Sequence, residues 1–170
     1  MREDHFGRFG LEPEFDLDAQ ALEQAYFALQ RQCHPDRVAT RSETERLRAT
    51  QQAMTVNEGY HILKNPLTRA EYLLARHGVV VSRDHATVKP SGCLLIEMME
   101  LREKLAEATD PSEIEAIKQD ARQQIAETTE KLSRLFVAEQ WEDAAQSTIR
   151  LRYLVKITEA IRRKQQVHKV

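Results

Sequence analysis

The stretch RQCHPDRVAT, residues 31–40, decides how the first part of this chain folds. It follows a run of helix-forming residues and contains His34-Pro35-Asp36. Proline disfavours the helical conformation of the residue before it, and it has no N–H group with which to continue a helix. We therefore predict that the tripeptide lies in a turn or loop that follows a helix.

The sequences on both sides of this turn have the pattern of amphipathic helices. Before it, Asp16 or Asp18 is a suitable N-cap; after it, Ser42 and Glu45 have the spacing of a capping box. Apolar residues recur at steps of three and four in both segments, which predicts one buried face on each helix. These residues are Leu22, Ala25, Tyr26, Leu29 and Cys33 on the first, and Ala49, Ala53, Val56, Tyr60 and Leu63 on the second. The pattern predicts an antiparallel helical hairpin.

Short segments before and after the hairpin complete a first domain. Asn65-Pro66 ends the second long helix, and Pro66 suits the first turn of a short helix that stops at Gly78. We predict that residues 1–76 form one compact helical domain. The apolar residues expected to close its ends are Phe6, Phe9, Leu11, Leu67, Tyr72 and Leu73.

The second half of the chain begins with a segment that is poor in helix-forming residues. Residues 77–91 are β-branched and polar and are interpreted as a linker. Residues 92–170 contain three helical patterns with short connections, which predict a three-helix bundle. Asp110 and Glu113 have the spacing of a second capping box. The three helices are predicted from about Leu94 to Ala108, from Pro111 toward Glu139, and from Trp141 to about Lys164. The whole chain is thus predicted to be all-α.

Composition narrows the functional classes. A net charge of -2 gives no overall attraction to nucleic acid or to an anionic membrane. No apolar run approaches the roughly 18 residues that a membrane span requires. The first ten residues lack the basic and apolar regions of a signal peptide. Cys33 and Cys93 do not have metal-ligand spacing, so a cytoplasmic protein with reduced thiols is expected.

The tripeptide His34-Pro35-Asp36 does not have the sequence surroundings of a catalytic or metal site. The six histidines include no H-x-x-x-H pair, which argues against a zinc site. Cys33 and His34 would point about 100° apart on a helix, and no third orienting group accompanies them. No glycine-rich phosphate loop occurs in the chain. We expect no enzymatic activity, no resident metal and no cofactor, and the residues alone leave open a plain helix stop or a contact with a partner.

The wider context resembles the J-domain of DnaJ-type co-chaperones. The segment QRQCHPDR is followed by NEGYHILKNPLTRAEYL, in which the matching residues are Tyr60, Leu63, Asn65, Pro66, Arg69, Ala70 and Tyr72. The resemblance implies that the HPD loop and nearby basic residues dock on an Hsp70-class chaperone and stimulate its ATP hydrolysis. The implied chaperone-binding residues are His34, Pro35, Asp36, Arg31 and Arg37.

One feature of the first long helix departs from the J-domain pattern. This helix is usually strongly basic, whereas here it carries Asp18 and Glu23 and only Arg31. Electrostatic steering toward a chaperone should therefore be weak, or the chaperone should be a dedicated partner.

The second half carries more apolar surface than a single bundle core requires. On the helix from Leu94, the core stripe is predicted to comprise Leu94, Met98, Leu101, Leu105 and Ala108. Three more apolar residues point away from this stripe and are surrounded by charged residues; they are Leu95, Met99 and Ile96. On the last helix, Tyr153 points about 160° from Leu151, with Ile149 beside it. The residues alone are compatible with a broad core or with an exposed apolar patch of the kind that binds proteins.

Taken over essentially its whole length, the chain resembles the HscB-type iron–sulfur co-chaperones. The J-domain, PLTRAEYLLARHG, LxExxELREKL and RLRYLVKI carry this resemblance. It implies delivery of an IscU-type iron–sulfur scaffold protein to an HscA-type chaperone. The implied scaffold-binding residues are Leu95, Ile96, Met99, Glu100, Arg102, Glu103 and Tyr153.

Two other functional classes are weighed against this interpretation. A general J-domain co-chaperone with another client would use the same two domains, and it would fail to bind a purified scaffold. A helix–turn–helix nucleic-acid binder also joins two helices by a short turn. The net charge of -2 and the acidic first helix argue against nucleic acid as a partner.

Overall fold

The computed structural model describes residues 4–33, 42–81 and 86–167. Within these residues the chain forms seven helices and no strand, which confirms the all-α prediction. The helices are α1 His5–Phe9, α2 Ala19–Gln32, α3 Glu43–Lys64, α4 Pro66–Arg76, α5 Gly92–Glu107, α6 Pro111–Val137 and α7 Trp141–Val167. The chain divides into two compact units, Met1–Leu73 and Leu74–Val170.

Helices α2 and α3 form the predicted antiparallel hairpin of the first unit. The hydroxyl of Tyr26 donates to Oδ1 of Asn57 over 3.0 Å, and the thiol of Cys33 lies 3.8 Å from Oε1 of Gln52. As residue numbers rise along α2, the residue numbers of their contacts on α3 fall, so the two helices are antiparallel. Tyr26 also stacks on Tyr60, with ring centroids 4.0 Å apart. The two helices therefore meet through both aromatic and polar contacts.

Helix starts in the first unit follow local capping chemistry. Asp18, rather than Asp16, caps α2, since its carboxylate accepts from the backbone N–H groups of Gln20 and Ala21. Ser42 and Glu45 form the predicted capping box at the start of α3. These bonds satisfy donors that have no partner inside the helix, which is why the starts were readable from the sequence.

Helix α1 closes the end of the hairpin. The hydroxyl of Tyr72 donates to Asp4 over 3.2 Å and accepts from the backbone N–H of His5 over 3.1 Å. Gly59 on α3 lies so close to α1 that an added Cβ atom would be 2.9 Å from Nδ1 of His5 and 3.1 Å from Cε2 of Phe9. Of the predicted end-closing residues, three are buried (Phe6, Phe9 and Leu73) and three are half-buried (Leu11, Leu67 and Tyr72).

Helices α5, α6 and α7 form the predicted three-helix bundle of the second unit. Gln124 on α6 accepts from Arg150 on α7, whereas Glu115 accepts from Gln165, so these helices are antiparallel. Helices α5 and α7 run parallel, because their contacts advance along both helices together. Arg150 of α7 pairs with Glu97 near the start of α5, and Lys164 of α7 reaches the end of α5. Nζ of Lys164 donates to the last carbonyls of α5, those of Leu105 and Ala106. A lysine at this position compensates the negative end of the α5 dipole.

The core of the bundle follows the predicted stripe on α5. Its members Leu94, Met98, Leu101, Leu105 and Ala108 are all buried. The helix begins two residues earlier than predicted, at Gly92, because the side chain of Ser91 accepts from the N–H of Leu94. The capping box of Asp110 and Glu113 starts α6 as predicted.

The described part of the predicted linker is attached to α7. A guanidinium nitrogen of Arg152 donates to the carbonyl of Val81 over 2.6 Å. The amide of Gln146 donates to the carbonyl of Lys89 over 2.7 Å and accepts from the N–H of Ser91 over 3.1 Å. These bonds give α7 a second set of neighbours besides α5 and α6. This extra covering explains why α7 is buried on more than one face.

Candidate protein-binding sites

The chaperone-binding residues predicted from the sequence fall mostly outside the described residues. This applies to His34, Pro35, Asp36 and Arg37. Arg31 is described; it lies in the last turn of α2, is exposed, and its Nε donates to the carbonyl of Phe27 over 3.3 Å. The guanidinium of Arg31 thus lies at the C-terminal end of α2, next in sequence to the HPD segment, which is His34-Pro35-Asp36.

The surface of α2 has little positive charge and one large exposed apolar side chain. Arg31 is the sole basic residue of this helix, and Asp18 and Glu23 are both exposed. Phe27, one turn before Arg31, is 54% exposed. The sequence did not identify Phe27, because it lies beside the predicted buried stripe and nothing in the sequence sets it apart.

The predicted scaffold-binding residues of α5 lie on a single exposed face. Leu95 is 39% exposed, while Ile96 and Met99 are each 60% exposed. Glu100, Arg102 and Glu103 are also exposed. At 100° per residue, all six project outside the buried stripe of α5: Leu95 and Arg102 lie beside it, and the other four lie toward the opposite side. We refer to these six residues as the α5 patch.

The composition of the α5 patch is that of a protein-binding surface. Its centre is apolar and its border carries both signs of charge. Isolated apolar residues are normal on protein surfaces, whereas contiguous exposed ones next to charged groups mark interaction sites. The unbranched, flexible side chain of Met99 adapts to irregular partner surfaces.

Tyr153, the seventh predicted scaffold-binding residue, lies on α7 and is half-buried. It follows Arg150 by one helical turn, and Arg150 forms a bidentate pair with Glu97 of α5 at 2.5 and 2.6 Å. This level of α7 is therefore adjacent to the first turns of α5. Gln124 of α6 accepts from the same guanidinium over 3.0 Å, so all three helices meet at Arg150.

Of the two alternatives left open for Ile149, a broad core and an exposed patch, the structure supports the core. Ile149 is 4% exposed and belongs to the core. The reason is that α7 is covered by α5, by α6 and by the chain segment that contains Val81. An apolar residue outside the main stripe of a central helix is buried, whereas the same residue on a peripheral helix stays exposed.

The groups whose pKa values are displaced have structural causes. Burial lowers the pKa of Arg69, whose guanidinium donates to the carbonyl of Leu63. The side-chain and backbone hydrogen bonds from Ser112 lower the pKa of Asp110, the cap of α6. Among the described residues, no group of three or more histidine, cysteine, aspartate or glutamate side chains is arranged to hold a metal ion. None of the described helices has the length and apolar character of a membrane span.

Comparison with known proteins matches both units. The family model of the DnaJ domain matches residues 4–72, and that of the HSCB C-terminal oligomerisation domain matches residues 92–162. A co-chaperone protein HscB homolog from Vibrio vulnificus (strain YJ016) is 36% identical over 165 residues, which cover 92% of this chain and 94% of the relative.

Solved structures give the same result. The chaperone HscB from Vibrio cholerae has a TM-score of 0.84 at 33% identity, with 96% of this chain and 98% of the other chain covered. Human co-chaperone protein HscB has a TM-score of 0.89 at 32% identity, with 96% and 83% covered. Sequence identity, coverage and fold agree, and the chain belongs to the HscB family of J-domain co-chaperones, which act in iron–sulfur cluster assembly.

Proposed function

We propose that this chain delivers an IscU-type iron–sulfur scaffold protein to an HscA-type chaperone and stimulates the ATP hydrolysis of that chaperone. The single observation that best supports this is the α5 patch: three contiguous exposed apolar side chains, bordered by charge, in a member of the HscB family. The proposal assigns residues 1–76 to the J-domain, 77–91 to a linker and 92–170 to the scaffold-binding bundle. Free thiols at Cys33 and Cys93 fit the reducing cytoplasm as the proposed compartment.

The HPD segment is the proposed contact with the chaperone. In this role His34, Pro35 and Asp36 act together with the flanking Arg31 and Arg37. A co-chaperone stimulates hydrolysis when it binds the hydrolysis-competent state of its partner better than the other states. Because α2 offers only Arg31 as a cation, we expect the association rate to fall only weakly with ionic strength.

The α5 patch together with Tyr153 is the proposed contact with the scaffold. The exposed Leu95, Ile96 and Met99 supply the apolar centre, and the surrounding charges set orientation. When one chain holds both partners, the scaffold reaches the chaperone at a raised effective concentration, even if each contact is weak.

The proposed role of the HPD segment is tested by steady-state ATPase measurements. The chaperone is assayed with this chain, with and without an IscU-type scaffold, and with the His34→Gln variant. Stimulation should be lost in the variant, whereas scaffold affinity should stay unchanged. Stimulation that survives in His34→Gln would show that the HPD segment is only a helix stop.

The proposed role of the patch is tested by scaffold titration with the Met99→Ala variant. Truncating a central apolar anchor should weaken binding by about 1–2 kcal/mol, or roughly five- to thirtyfold. Leu47→Ala is a matched control, because Leu47 is 59% exposed but lies on α3. Unchanged affinity of Met99→Ala would remove Met99 from the scaffold site. Failure of the unmodified chain to bind any scaffold would point to another client.

A further inference from the structure

Three side chains of α7 form polar contacts with α5 and with the residue that caps it. Gln146 accepts from the backbone N–H of Ser91, the N-cap of α5, and Lys164 donates to the last carbonyls of the helix. Between them, Arg150 pairs with the side chain of Glu97 at 2.5 and 2.6 Å. The three residues lie on one side of α7, because Lys164 follows Gln146 by about five helical turns and Arg150 follows it by about one. Helix α7 therefore holds α5 at three levels.

These contacts differ in what they can fix. Those of Gln146 and Lys164 reach backbone groups, which lie about 2 Å from the helix axis, whereas Arg150 holds a side chain, whose end lies about 5–6 Å from that axis. Contacts near the axis set the level of α5 along α7, but they resist rotation weakly. A bidentate ion pair is directional and acts far from the axis. The pair of Arg150 with Glu97 is therefore the polar contact best placed to resist rotation of α5 about its own axis.

The guanidinium of Arg150 is itself held in place. It donates to both carboxylate oxygens of Glu97 and, over 3.0 Å, to the side-chain oxygen of Gln124 on α6. Arginine presents its donors in a rigid plane, so several acceptors together fix its orientation. The side chain is 31% exposed, so its neighbours also enclose most of it. Arg150 thus ties the rotation of α5 to the positions of α6 and α7.

Rotation of α5 would change the α5 patch through Leu95. On a helical wheel, Leu95 lies about 100° to one side of Leu94 in the buried stripe, and Glu97 lies about 60° to the other side. Leu95 is 39% exposed, the least of the three apolar residues of the patch. Burial of apolar surface is non-directional, so core contacts alone resist only weakly a rotation that takes Leu95 inward. That rotation carries Glu97 away from Arg150, and the ion pair opposes it.

We propose that Arg150 is a positioning residue of the scaffold site. Through Glu97 it holds α5 in the rotation that leaves Leu95 exposed next to Ile96 and Met99. In this role Arg150 orients the side chains that contact the scaffold and does not contact the scaffold itself. The inference rests on the proposed function, since it concerns the same patch and adds a residue outside it.

The first test measures the scaffold affinity of Arg150→Met in the whole chain by calorimetric titration. Glu97 is 43% exposed and stays hydrated without its partner, so the variant should fold. Loss of the pair lowers the population of the binding-competent rotation and should weaken binding by about two- to fivefold. The double variant Glu97→Arg, Arg150→Glu exchanges the charges of the pair and should bind within about twofold of the unmodified chain. Weak binding that this exchange does not restore would assign Arg150 a direct contact with the scaffold and contradict a positioning role.

The second test follows Leu95 through a double-mutant cycle. In the unmodified chain, Leu95→Ala should weaken scaffold binding by about three- to tenfold and leave the urea midpoint nearly unchanged. In the Arg150→Met chain, where Leu95 turns inward, the same change should weaken binding by less than about twofold and should lower the urea midpoint. Ile96→Ala is the matched control, because Ile96 lies nearly opposite the buried stripe and stays exposed in either rotation. Its effect on binding should be equal in both chains.

Phe136→Leu controls for a loss of stability in the same unit. It loosens the packing of Phe136 on Trp141 at the turn between α6 and α7, where the ring centroids are 6.2 Å apart, and it should leave scaffold affinity unchanged. Three results would overturn the positioning role: unchanged affinity of Arg150→Met, equal effects of Leu95→Ala in the two chains, or an equal loss of affinity in Phe136→Leu. Failure of the unmodified chain to bind any scaffold would instead mean that the proposed function is wrong.

Discussion

Helices α5 and α7 belong to the same bundle, and both carry apolar residues beyond one buried stripe. On α7 the additional residue Ile149 is 4% exposed, whereas on α5 the additional residues Ile96 and Met99 are each 60% exposed. The difference does not come from residue type, since both helices use isoleucine. It comes from the number of neighbours, because α7 is covered on several sides and α5 on one. An apolar excess thus becomes core on the central helix and stays exposed on the peripheral one.

The largest expected effect tests whether buried residues of α7 contribute more to the free energy of unfolding than exposed residues of α5. Leu154 on α7 is completely buried, and Leu154→Ala should destabilise the second unit by about 2–5 kcal/mol through lost contacts and a residual cavity. Met99→Ala on α5 should change the free energy of unfolding by less than about 0.5 kcal/mol. Urea unfolding of both variants checks this. Similar losses in the two variants would mean that Met99 is part of the core.

The next effect compares a closely packed glycine in the first unit with an uncovered glycine at the start of α5. Gly59→Ala would place a Cβ atom 2.9 Å from His5 and 3.1 Å from Phe9. We expect a loss of about 1–3 kcal/mol, because α1 has to shift. Gly92→Ala is the matched control, since a Cβ atom there meets nothing within 4 Å. Thermal unfolding followed by circular dichroism should separate the two, and equal melting temperatures would contradict the close packing of α1 on α3.

A smaller effect concerns the polar contact between the two compared helices. The pair of Glu97 and Arg150 has side-chain exposures of 43% and 31%, so solvent weakens it. Glu97→Gln should destabilise the chain by about 0.5–1 kcal/mol, and added salt should reduce that difference. Denaturation at low and high ionic strength measures it. A loss that does not depend on salt would assign the role of Glu97 to packing rather than to charge.

The smallest expected effect is a pH dependence of the free energy of unfolding, which comes from Glu115 at the contact of α6 with α7. Hydrogen bonds from Lys118 and then Gln119 lower the pKa of Glu115, which also accepts from Gln165 of α7. A lowered folded-state pKa means that the carboxylate stabilises the fold above its unfolded pKa, near 4.5, and that this contribution is lost as the pH falls through the folded value. Glu115→Gln should therefore be less stable than the unmodified chain at neutral pH and equal to it in acid. Chemical denaturation across this pH range decides, and a constant difference would contradict an ionic origin.

Much of the fold was predictable because its signals are local. The capping box at Ser42, the cap at Asp110 and the stop at Asn65-Pro66 each depend on a few neighbouring residues. The choice of Asp18 over Asp16 as the cap of α2 was left open, because both are suitable acceptors and only the backbone geometry distinguishes them. The exposed face of α5 was also predictable, since helical periodicity places Leu95 and Met99 away from Leu94.

The features that the sequence left open or did not show are contacts between distant segments. The burial of Ile149 and the pairing of Glu97 with Arg150 both depend on how three helices and a connecting segment are arranged. No spacing within one helix encodes these contacts. The exposure of Phe27 has the same origin, because it depends on which part of α2 faces α3.

By itself the sequence determined the all-α class, the helix limits to within a few residues, the buried stripes and the resemblance to HscB-type co-chaperones. These properties follow from hydrogen bonds and periodicities that act over three or four residues. Only the tertiary structure decided which apolar residues outside those stripes become core and which stay exposed. Burial is a property of neighbours in space, so Ile149 and Ile96 have opposite environments although each lies outside the main stripe of its helix.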